Sequence, residues 1–162
     1  MNSFRYTAIH VQTTTDKGFD EVTSAFEAQL NPWEPDVLDV LASDGDIKAV
    51  STRMEAMVGP SGFLLFTRID HGALLRVAGM TRKSVQYVVG NPLFALQMTR
   101  HDVRAALYAP LRVLIYEDAT GKTCVEYDTP SSQFGQFGNE NIDTTATMLD
   151  EKMAAMVTAA IG

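Results

Sequence analysis

Two of the chain's three histidines stand beside an aspartate, and imidazole is the side chain that most readily moves a proton near neutral pH. In Ile69-Asp70-His71-Gly72, His71 could act as a general acid or base, with the glycine leaving room for a substrate. Neighbouring side chains diverge at a strand end, so Asp70 is not placed to orient that ring. The same four residues also fit a helix start, with Asp70 as the cap and His71 in the first turn. In Met98-Thr99-Arg100-His101-Asp102, Met98 and His101 are three positions apart and share a helix face. Thioether and imidazole together could ligate haem iron or a soft metal. One helical turn cannot place two ligands on opposite sides of a haem, so His71 or His10 would have to complete such a site. The plainer expectation is that Met98 packs in the core while His101 complements the negative end of its helix.

Arg100, Arg104 and Arg112 could gather an anionic ligand through bidentate donors. Asp102, Glu117 and Asp118 are equally near in sequence and could pair with them instead. Cys124 has apolar and acidic neighbours, with Glu126 on the same strand face, which suits a buried thiol better than a nucleophile. Ser131-Ser132 lacks the G-x-S-x-G setting of a nucleophile elbow. "SSQFGQFGN" is the most unusual stretch, with Phe134 and Phe137 set among glycines and polar residues. It is expected to be a loop that covers a ligand pocket, enters a partner's groove or closes its own core edge. No P-loop, GxGxxG, HExxH, CxxC or EF-hand pattern is present, and no motif indicates a cofactor or metal.

These residues must be positioned by elements that the patterning also predicts. "RYTAIHVQTTT" alternates as a strand, and Phe19, Val22, Phe26 and Leu30 form the apolar stripe of a helix. Pro32 and Pro35 end it. Two short helices are expected between Asp36 and Gly59, with Val37, Leu38, Val40 and Leu41 apolar and a turn at Asp44-Gly45-Asp46. "FLLFTRID" is expected to be a central, buried strand. Asp70 caps a short helix that ends at Gly79, and "KSVQYVVG" is the next strand. Asn91 and Pro92 supply a cap and a first-turn proline for a helix over "LFALQMTRHDVRAAL". "YAPLRVLIYED" and "KTCVEYD" form a hairpin about Ala119-Thr120-Gly121, and an amphipathic helix spans 143–161. The order β-α-(α-α)-β-α-β-α-β-β-α implies a single α+β domain over 1–162, with one mixed, largely antiparallel sheet packed with helices.

The totals narrow the partners. A chain of 162 residues with 46% hydrophobic residues can bury a core, and its net charge of −7 disfavours phosphate backbones and anionic membrane surfaces. A lone cysteine permits no internal disulfide. Without a signal-peptide pattern or a spanning apolar run, a cytoplasmic location is expected.

"GFLLFTRIDHGALL", "VVGNPLFALQ", "YAPLRVLIYEDATGKTCVEYDTPSS" and the closing amphipathic helix resemble the bacterial domain-of-unknown-function family 302. The resemblance is strongest over 62–130 and looser over 4–30 and 143–160, with 32–59 reading as a helical insertion relative to shorter members. It implies a compact α+β domain found as a homodimer, with no established activity and no catalytic residues to carry over. The expected function is therefore a homodimeric module for a small apolar or anionic ligand. Its candidate binding residues are His71, Asn91, His101, Arg112, Phe134 and Phe137. The alternatives are a histidine-dependent enzyme, with His71 as acid or base and Asn91 as hydrogen-bond donor, and a haem or metal protein using Met98 with His71 or His101.

Overall fold

The computed structural model describes residues 1, 3–39 and 46–162. Val40, Leu41 and the start of the expected turn at Asp44-Gly45-Asp46 lie outside the described residues. Strands β1 (His10–Thr15), β2 (Asn31–Pro32), β3 (Leu64–Asp70), β4 (Ser84–Gly90), β5 (Leu111–Glu117) and β6 (Thr123–Asp128) form one sheet. Its order is β1-β6-β5-β4-β3-β2. Every neighbouring pair is antiparallel except β2 with β3. Among the described residues the α-helices are α1 (Phe19–Glu27), α2 (Ile47–Met57), α3 (His71–Leu75), α4 (Pro92–Thr99), α5 (Pro130–Phe134) and α6 (Glu140–Ile161). This is the α+β architecture expected from the sequence.

Alternation decides which sheet face is covered. Val85, Tyr87 and Val89 of β4 and Leu111, Val113 and Ile115 of β5 are buried on one face. Phe19, Val22 and Phe26 of α1 and Leu149, Met153 and Met156 of α6 belong to the same apolar cluster. Each such side chain contributes roughly 1.5–3 kcal/mol when fully buried. A smaller cluster joins Val37, Val50 and Met54 to Trp33, Met57 and Leu93, and so fastens α2 to α4. The opposite face of the sheet carries Gln86, Val88, Leu114, Tyr116 and Glu126, all half-buried.

Four elements differ from the sequence expectation. β3 is not the central strand: it lies next to the two-residue β2, and Thr67 to Asp70 are exposed because β2 ends opposite Leu65. β4, with its regular alternation, lies further in. The helix expected over 93–107 stops at Thr99, because the Asp102 carboxylate accepts from Arg104 N at 2.9 Å and starts a separate 3₁₀ segment, Val103–Tyr108. "SSQFGQFGN" is not an open loop but α5 followed by a 3₁₀ turn, Gly135–Phe137, that ends at Gly138 with φ 59°. Finally, β1 begins only at His10, since residues before it have no strand partner.

Candidate ligand-binding cavity

An apolar concavity arises where the end of β4 must turn away from the sheet. Gly90 closes β4 opposite Leu64, and Asn91 then starts α4. The Asn91 Oδ1 accepts from Leu93 N at 2.9 Å, while its Nδ2 donates to Gly62 O at 3.0 Å. One amide thus caps the helix and ties it to the chain entering β3. Between α4, the strand ends and α6 lies a cavity of about 450 Å³. Leu93, Phe94, Leu96 and Met98 of α4 form one wall, and Phe63, Phe134 and Leu149 form its inner side. Trp33, Leu38 and Met54 come from the α2 side, and Phe66, Pro110 and Leu111 from the strand ends. Trp33 stacks on Phe66 with ring centroids 5.3 Å apart. The polar side chains in the wall are Asn91 and Thr99, and Asn91 is already engaged by backbone.

The six residues expected to bind a ligand do not converge. Asn91 and Phe134 line the cavity, with Phe134 completely buried. His71 follows the far end of β3. Leu64 pairs with Gly90 at the cavity, whereas Asp70 pairs with Val85, about 20 Å away at the usual strand rise. Gly72 beside it leaves no room for a substrate, because a Cβ there would lie 2.7 Å from Arg82 O. Asp70 instead caps α3, accepting from Ala73 N at 2.8 Å. His101 is exposed beyond α4, and Arg100 Nε donates to its Nε2 at 3.2 Å. Arg112 is exposed on the outer face of β5, opposite Val88. Phe137 packs edge-on to Tyr108, with the Arg104 guanidinium 5.6 Å from its ring centre. The Arg104 side chain also pairs with Asp102, and that ion pair holds the Asp102 carboxyl below its ordinary range. Met98 is buried in the core, so it does not share a site with exposed His101. Among the described residues, no group of three or more His, Cys, Asp or Glu is placed to hold a metal ion.

A polar cluster absent from the candidate set lies on the uncovered sheet face. Pairing of β1 with β6 puts His10 opposite Asp128 and Gln12 opposite Glu126. His10 Nδ1 is 2.9 Å from Asp128 Oδ1, and Nε2 is 3.2 Å from Glu126 Oε2. Both ring nitrogens therefore face carboxylates. The hydrogen bond to Asp128, aided by Glu126, raises the His10 pKa against the opposing effect of burial. Tyr116 donates to Glu126 Oε1 at 2.6 Å, and Gln12 Nε2 donates to the same oxygen. This bond to Glu126, together with burial, pushes the Tyr116 phenol up to about 12. Burial acts to raise Glu126, but the bonds from Tyr116, Gln12 and His10 outweigh it and leave the carboxyl below its ordinary value. Polar His10 and Gln12 on either side of Val11, and Glu126 and Asp128 alternating with Val125 and Tyr127, signal the two faces in sequence. Their register is supplied only by the fold.

Residues 39–160 match the family described as domain of unknown function DUF302. A crystal structure titled as that of an uncharacterized conserved protein DUF302 from Bacillus stearothermophilus superimposes with a TM-score of 0.65. It covers 93% of this chain and 97% of its own at 15% identity, a likeness of fold. An 80-residue stretch is 30% identical to the fluoride-specific ion channel FluC 1 of Brucella suis biovar 1 (strain 1330), covering 49% of this chain and 32% of that protein. The FluC 2 protein of Brucella melitensis biotype 1 matches at the same identity over 30% of its length. The chain thus spans about a third of the curated relatives it matches. Among the described residues, no helix is long and apolar enough to cross a membrane.

Proposed function

This chain belongs to the family described as domain of unknown function DUF302, and we propose that it is a binding module that holds a small, largely apolar molecule between α4 and the sheet. The observation that carries this reading is the cavity of about 450 Å³ with its apolar wall. Ligand sites commonly occupy roughly 300–1,000 Å³ and are lined mainly by apolar and aromatic side chains. Binding is favoured over histidine-dependent catalysis because, among the described residues, no imidazole, carboxylate or thiol belongs to the wall. Fluoride conduction, named for the Brucella proteins, is not part of this reading. They share only about a third of their length with this chain, and a small anion needs donors that an apolar wall does not offer.

The assembly that accompanies this reading is a homodimer in the cytoplasm, formed through the sheet face that α1 and α6 leave uncovered. Leu74, Val77 and Met80 are exposed at the α3 end of that face, and Ile69 lies on its β3 edge. Val88 and Leu114 are half-buried in its centre.

Trp33 is the chain's single tryptophan and sits in the cavity wall, so its emission reports on the site. Decanol is expected to change that emission saturably, with a Kd on the order of tens of micromolar. Ala95→Phe, which fills the cavity from α4, should abolish the response while retaining the far-UV circular dichroism of the parent. An unsaturable response in the parent, or an equal one in the folded variant, would contradict the proposal.

A further inference from the structure

We infer that the cavity is built for an apolar carboxylate, with the tail inside it and the headgroup paired to Lys152 at its edge. The inference rests on the cavity being a binding site and adds the class of ligand. Lys152 lies on α6, one turn after the cavity-lining Leu149. Its ammonium is 5.7 Å from the ring centre of Phe94, another wall residue. It also lies against Gly62, where an added Cβ would be 3.1 Å from Lys152 Nζ. Gly62 immediately precedes the buried wall residue Phe63 and holds the Asn91 amide through its carbonyl. Lys152 thus lies between the wall residue Phe94 and the backbone at Gly62, which leads into the wall residue Phe63.

Lys152 also differs from the other cations in its charge environment. Lys17, Arg53, Arg68, Lys83, Arg104 and Lys122 all form ion pairs with Asp or Glu. Among the described residues, Lys152 has no carboxylate partner, and it is partly buried where the other cations without one are exposed. A partly buried lysine whose ammonium faces an aromatic ring beside an apolar cavity gains most from an anion that brings its own apolar body. A fatty or aromatic acid has that form. A free inorganic anion would leave the cavity empty, and a neutral alcohol would leave the charge unmatched.

Calorimetric titration with decanoate and with decanol separates these cases. The parent should bind decanoate about tenfold more tightly than decanol, and added salt should weaken decanoate alone. Lys152→Met, which keeps most of the stem, should lose that preference without changing decanol affinity, and Lys152→Arg should restore it. Equal affinity of the parent for both ligands, or an undiminished decanoate preference in Lys152→Met, would overturn the inference while leaving apolar binding standing. Failure of both ligands to bind the parent would overturn apolar binding and this inference together. If Lys152→Met does not fold, the salt dependence in the parent decides: a decanoate affinity indifferent to ionic strength refutes the pairing.

Discussion

Single residues in this chain carry more architectural than chemical work. The Asn91 amide joins a helix cap to a carbonyl across the sheet end, and Asp70 and Asp102 cap the segments that follow them. The Asn91 and Asp70 caps were readable, because cap residues announce themselves one at a time, whereas the Asp102 cap was hidden inside what read as one continuous helix to residue 107. Arg104 was within reach, since Asp102 is two positions away. The His10 cluster was not, because it depends on residues more than a hundred positions apart meeting across β1 and β6. Here a pH dependence follows. His10 is raised mainly by its bond to Asp128, so its contribution to stability is full below the ordinary imidazole value and is lost as pH rises through the raised one. Its magnitude is small because the side chain is 55% exposed. Histidine NMR titration should give His10 a midpoint above 6.5, and Asp128→Asn should lower it. A midpoint at or below 6.5 would show that the ion cluster does not persist in solution.

At the level of elements, periodicity identified β4, the hairpin and α6, where apolar spacing and burial agree. It failed for β3, whose apolar run resembled a buried strand although its second half is exposed. An apolar run records composition, whereas a strand's depth depends on how long its neighbour is. It failed again at "SSQFGQFGN", where glycine suggested a loop but Pro130 starts a helix and Gly138 supplies the left-handed stop. The turn into β3 gives a sharper test. A Cβ at Gly59 would lie 2.8 Å from both Asn31 N and Leu30 Cα, with Gln29 O nearer still. Backbone atoms cannot rotate aside as a side chain can. Gly59→Ala should therefore destabilise the fold by more than about 1 kcal/mol in urea denaturation, and an unchanged midpoint would mean that these segments are not in contact.

On the scale of the whole molecule, the chain covers one sheet face thoroughly and leaves the other to solvent or a partner. The α+β class and the element order were legible, since they follow from local patterns in sequence. The cavity was not: it is assembled from residues 33 to 149, and of the six residues expected to bind a ligand only Asn91 and Phe134 belong to its walls. If the uncovered face joins two copies, light scattering should give twice the chain mass at micromolar concentration, and Val77→Glu should shift the protein toward monomer. A monomer mass throughout that range would contradict the homodimer. The cavity itself is tested most directly by a crystal structure of the protein grown with decanol. Continuous density is expected for the alkyl chain between Leu93, Phe134 and Leu149, with Trp33 and Phe66 closing over one end. A cavity that instead holds ordered water, or one closed by side chains with decanol elsewhere, would contradict it.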